Sequence, residues 1–153
     1  MYAVNCTIPK TLIRFLIETT AERETPELAA VLHDVIDTPV SPELLPADGD
    51  AILQKTEELI GPYELHDFFL YHFIKYGAEP EKIRSLAAAA FAGICDEAEI
   101  DRWLALFIRR FFQQQFKRSC IPDGPKVGTI ALSPRGDWRM PSDAAAAIWQ
   151  SFQ

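Results

Sequence analysis

Apolar residues along this chain recur mostly at the three- and four-residue spacing of helices. Between residues 9 and 24, Leu12, Ile13, Phe15, Leu16 and Ile17 make one broad apolar face. Pro9 suits the first turn there, where its missing N–H is not needed. Over 26–36, Leu28, Val31, Leu32 and Val35 share a side, and Thr25 is the expected N-cap. A helix over 62–76 turns Leu65, Phe68, Phe69, Phe73 and Ile74 inward and stops at Gly77. The next runs over about 81–92 and ends at Gly93. Asp96 opens a long helix over 97–118, with Ile100, Leu104, Phe107, Ile108, Phe111 and Phe112 on its apolar stripe. A last helix is predicted over 142–152, capped by Ser142, with Asp143 at the positive end of its dipole.

The periodicity fails twice. Residues 37–61 carry Pro39, Pro42, Pro46 and Gly49 and predict a long loop, with a helical turn at Ser41–Leu44 and a short helix at about 52–59. Loops of this length are more often functional or disordered than idle. Residues 119–141 are dense in Pro and Gly and hold the one strand-like stretch, Val127–Leu132. No strand–helix alternation and no internal repeat is present, so the expected fold is mostly α. At 153 residues a single domain is expected.

Composition narrows the function classes. A hydrophobic share of 48% and a charged share of 24% are those of an ordinary soluble globular chain. No apolar run approaches the roughly 20 residues of a membrane span, and residues 1–20 lack a basic-then-apolar leader. A cytoplasmic protein with no membrane partner is expected. The net charge of -7 disfavours nucleic-acid binding. Cys6, Cys95 and Cys120 form no C-x-x-C pair, and their odd number predicts reduced thiols. His33, His66 and His72 show no metal-ligand spacing, so no metal site is expected. Neither G-x-x-x-x-G-K-[ST] nor G-x-G-x-x-G occurs.

The cations of this acidic chain gather late. Lys117 and Arg118 close the aromatic-rich helix, and Lys126, Arg135 and Arg139 follow in the Pro/Gly-rich segment. Cations crowded at a helix end and a turn region point to an anion such as a phosphate or carboxylate. Lys117 leads, its competing role being to complement the dipole of its own helix. Lys10 stands at the start of the first helix, against the sign of that dipole, as either a ligand contact or a solvated side chain. Ser41 suits the N-cap of a short turn with Glu43 in its first turn. The tripeptide Arg135-Gly136-Asp137 follows Pro134 in a turn, which accounts for it without an adhesion role.

Several segments together resemble glutamine-dependent NAD synthetases: Gln115–Ser119, Pro122–Val127 and Leu132–Asp143, with Val4-Asn5, Pro9–Ile13, Ser41–Leu44, Lys55–Glu57 and Ile60–Phe68 upstream, in colinear order. The resemblance implies the C-terminal helical part of a doubly wound α/β synthetase domain whose sheet is largely missing here. The family's Ser-Gly-Gly-x-Asp-Ser nucleotide loop and its glutamine-hydrolysing Cys-Glu-Lys triad are absent from these residues. It further implies that Lys10 and Ser41 contact ATP, that Lys117 contacts deamido-NAD, and that Lys55, Thr56 and Glu57 lie in a loop that closes over the active site. Arg118, Lys126 and Arg135 become anion or structural contacts, and Arg135, Asp137 and Arg139 stitch the tail to the body. ATP with Mg enters as a substrate complex of the parent enzyme. No catalytic residue lies in this chain, so alone it is expected to be inactive. Its expected partners are the rest of the synthetase, a glutaminase domain and a second copy. The competing reading is a non-catalytic helical assembly or dimerisation module.

Overall fold

The computed structural model describes residues 2–38 and 60–150 of the chain. Among them are six α-helices: α1 (Lys10–Ala21), α2 (Pro26–Asp37), α3 (Tyr63–Tyr76), α4 (Pro80–Ala90), α5 (Glu97–Gln113) and α6 (Gln115–Ser119). A 3-10 turn, Ala147–Gln150, follows, and no strand occurs among the described residues. The fold is mostly α, as the periodicity predicts. Two compact units emerge, Pro9–Tyr63 and Met1–Ile8 together with Glu64–Gln153.

The larger unit is built on α3, α4 and α5. Leu65, Phe69 and Phe73 repeat every fourth residue of α3 and are buried. Ile100, Leu104, Phe107, Ile108, Phe111 and Phe112 make the buried stripe of α5. Ile83 and Ala87 bring α4 into the same core. Asp96 starts α5 with a capping box: its side chain accepts from the Glu99 N–H at 2.7 Å, and Glu99 accepts from the Asp96 N–H. Arg84 ties α4 to α5 through Glu97 (3.0 Å) and Asp101 (3.2 Å). The tail enters this core through aromatics: Phe73 lies 5.1 Å, centroid to centroid, from each of Phe111, Trp138 and Trp149.

Three local expectations differ from the structure. The helix predicted over 97–118 breaks at Gln114 (φ -94°, ψ 11°), giving α5 and the short α6. Phe111 and Phe112 hold the stripe in the core up to that point, and Arg118 then folds back onto the exposed helix end. The helix predicted over 142–152 reduces, among the described residues, to the Ala147–Gln150 turn. Ala144, Ala146 and Trp149 pack against the core instead, and that packing outweighs the helix preference of an alanine run. Val127–Leu132 forms no ladder, because its backbone donors go elsewhere: Val127 and Gly128 to the Thr7 hydroxyl, Ala131 to Asp137, Leu132 to the Cys6 carbonyl.

Among its described residues the smaller unit holds α1 and α2, which pack against each other. Thr25 caps α2 by accepting from the Leu28 N–H at 3.4 Å, with Pro26 in the first turn. Of these two helices only Ala21 is fully buried.

Candidate functional site

Lys117 and Arg118 share the last turn of α6, yet their side chains have different surroundings. Gln115 is buried, and its side-chain amide oxygen Oε1 accepts from Arg118 Nε (3.0 Å) and Nη2 (2.8 Å). The Arg118 guanidinium lies 4.1 Å from the Phe111 ring centroid and donates to the Phe111 carbonyl. That carbonyl belongs to the last turn of α5, where helix geometry leaves acceptors without partners. Arg118 therefore closes α5. Burial lowers its pKa to about 10, which leaves it charged at neutral pH. The Lys117 side chain, by contrast, is exposed and has no ion-pair or hydrogen-bond partner among the described residues.

The downstream cations are engaged within the tail. Arg135 Nε donates to both oxygens of Asp123, at 2.7 and 2.8 Å. Lys126 Nζ donates to Asp137 Oδ1 at 2.8 Å, while Asp137 Oδ2 accepts from the Ala131 N–H at 2.8 Å. The Arg135 hydrogen bond holds the Asp123 carboxyl below the usual carboxylate range. The hydrogen bond from Lys126, then that from Ala131, does the same for Asp137. Arg139 donates to the Arg135 carbonyl at 3.3 Å. Arg135, Asp137 and Arg139 thus tie the tail to itself, where stitching to the body was expected. Aromatic packing by Trp138 and Trp149 makes the link to the body.

The residues before α1 complete the arrangement. Thr7 is buried, and its hydroxyl accepts from the Val127 N–H (3.2 Å) and the Gly128 N–H (2.9 Å). The Ala3 N–H donates to the Asp123 carbonyl at 2.9 Å. Gly124 and Gly128 run so close to the Ala3 and Thr7 carbonyls that a Cβ at either glycine would collide with backbone. These glycines permit one chain segment to lie directly on another, which explains the glycine content of the tail. Thr7, Gln115 and Asp123 organise the segment although nothing in the local sequence marks them, since the partners of Thr7 lie 120 and 121 positions away.

Lys10, in the smaller unit, is exposed, with its Nζ 5.1 Å from the Tyr63 ring centroid. Ser41, Lys55, Thr56 and Glu57 lie outside the described residues, as do most of the predicted 37–61 loop and its short helix. An open cleft of about 370 Å³ lies beside the end of α5, lined by Arg109, Phe112, Gln113, Ser142, Asp143 and Ala144–Ala146. Ser119 and Ser142, their hydroxyls 3.4 Å apart, connect its rim to α6. Among the described residues no cluster of His, Cys, Asp and Glu is placed to hold a metal. None of their helices is long and apolar enough to cross a membrane. Cys6, Cys95 and Cys120 are free thiols.

The chain is similar to glutamine-dependent NAD(+) synthetases over 97% of its length. It is 41% identical over 168 residues to the enzyme of that name from Mycobacterium leprae, and 42% identical to those from Mycobacterium bovis and Mycobacterium tuberculosis. It spans about a quarter of the length of these curated relatives (25%). No family model matches the chain.

Proposed function

We propose that this chain is the C-terminal helical part of the synthetase domain of a glutamine-dependent NAD(+) synthetase. The sheet of that doubly wound α/β domain lies in polypeptide beyond these residues. The parent enzyme makes NAD from deamido-NAD, ATP and ammonia drawn from glutamine. The nicotinate carboxylate is first adenylated with release of pyrophosphate, and ammonia then displaces AMP to give the amide. Within that scheme Lys117 contacts deamido-NAD, Lys10 and Ser41 contact ATP, and Lys55, Thr56 and Glu57 belong to a loop that excludes water from the adenylate. ATP arrives with Mg as substrate, and the ligands of that ion lie outside this chain.

The observation that carries the reading is the identity of 41–42% across nearly the whole chain. The geometry supports a division of labour among the cations. Arg118 is committed to closing α5, and Lys126 and Arg135 to carboxylates of the tail. Lys117 alone of these four has a side chain with no hydrogen-bond or ion-pair partner among the described residues, on a turn that includes the buried Gln115. A dinucleotide phosphate or carboxylate is a fitting counter-charge. Arg118, Lys126 and Arg135 accordingly act as structural contacts.

The test is reconstitution. The chain is mixed with the portion of the Mycobacterium tuberculosis synthetase outside the matched stretch, and NAD formation from deamido-NAD, ATP-Mg and ammonium is followed. The expected result is no turnover by either piece alone and turnover by the pair. Absence of turnover in a pair shown to associate would refute the reading.

A further inference from the structure

α6 is five residues long, too short to be helical on propensity alone, so its course depends on what ties it down. Its one buried residue, Gln115, is 3% exposed. Oε1 of that side chain accepts twice from the Arg118 guanidinium, which also donates to the Phe111 carbonyl at the end of α5 and lies over the Phe111 ring. Gln115 and Arg118 thus fasten α6, across the break at Gln114, to the helix before it. The backbone between them is also committed. The Lys117 N–H donates to the Gln114 carbonyl at 3.1 Å, and the Lys117 carbonyl accepts from the Cys120 N–H at 3.2 Å. Lys117 sits between the two fastened residues, its side chain without a hydrogen-bond or ion-pair partner among the described residues.

We infer that Gln115 is a positioning residue for the proposed deamido-NAD contact, acting through Arg118 to hold the turn that carries Lys117. The inference rests on the proposed function and extends it to a residue too enclosed to touch the ligand. A lysine on an ordered turn loses less freedom on meeting an anion than one on a fraying helix end. Removing the Gln115 acceptor takes away two of the three hydrogen bonds of the guanidinium, and with them the hold on the turn. The acceptor is also neutral. An amide fastens Arg118 without placing a carboxylate two residues from Lys117, where it would compete with an anionic ligand for the lysine's charge.

The experiment uses the whole chain in the reconstituted pair and reads deamido-NAD affinity by isothermal titration calorimetry, with circular dichroism to verify helix content. Gln115→Met, similar in size but without the oxygen, is expected to weaken the Kd by about 3- to 10-fold, the scale of ordering one side chain. In the Lys117→Ala background the same substitution is expected to change nothing further, because its effect passes through Lys117. A merely structural Gln115 would weaken binding equally in both backgrounds, and that outcome overturns the inference. Equal Kd for wild type and Gln115→Met also overturns it, while the proposed function stands. If Gln115→Met loses helicity, Arg118→Lys carries the same two-background comparison, since it keeps the charge and loses the fork. Equal Kd for wild type and Lys117→Ala, or no deamido-NAD binding by the wild-type pair, removes the ligand role of Lys117 and this inference with it.

Discussion

Arg118 and Lys117 are neighbours in sequence and opposites in role. Arg118 has the planar fork that can straddle an aromatic ring while donating to Gln115 and to a helix-end carbonyl. A lysine there would lose the fork, so Arg118→Lys is expected to destabilise the fold by about 1–3 kcal/mol, measured by urea denaturation. Thr7 poses a sharper test. Its buried hydroxyl is the acceptor for two backbone N–H groups, and Thr7→Val removes that acceptor from both. The expected cost is about 1–3 kcal/mol in the same measurement, and no change would remove Thr7 from its organising role. Acid should loosen the tail before the core. Asp123 and Asp137 have folded pKa values below the ordinary 3.8, so the stabilisation they give is complete above that value. It is lost as pH falls through the lowered folded values. Amide exchange over residues 123–137, corrected for intrinsic rate, should therefore rise in acid, and Asp137→Asn should blunt that rise. The clustering of Lys117, Arg118, Lys126 and Arg135 was legible in the sequence. Which of these cations are ion-paired was not legible, because Asp123 and Asp137 reach their partners through a fold-back that no local pattern records.

Helices were readable wherever one face is committed to a core. The stripe from Ile100 to Phe112 and the Asp96 capping box place α5 from sequence alone, and Leu65, Phe69 and Phe73 place α3. Leu104, fully buried at the middle of α5, tests that core: Leu104→Ala is expected to cost about 2–5 kcal/mol in urea denaturation. Legibility failed where tertiary contacts override propensity. Ala144–Ala147 look helical, yet Ala144, Ala146 and Trp149 lie against the core in other geometry. Val127–Leu132 look extended and pairable, yet a threonine and an aspartate take the donors that a ladder needs. The periodicity of α1 and α2 identified them as helices but left open which face is covered, since spacing alone is indifferent to what packs on it.

One unit has a buried aromatic and aliphatic core, and in the other, among the described residues, only Ala21 of the two helices is buried. The chain is acidic overall; Lys126 and Arg135 are held in ion pairs, Arg118 lies against Phe111, Arg139 meets a backbone carbonyl, and Lys117, with no side-chain partner among the described residues, is the cation proposed to contact deamido-NAD. The most direct measurement of that claim is the deamido-NAD affinity of the reconstituted pair, by isothermal titration calorimetry, with wild-type chain and with Lys117→Ala. Loss of one charge-assisted hydrogen bond predicts a Kd weaker by about 10- to 100-fold. Equal affinity in the two titrations would contradict the account.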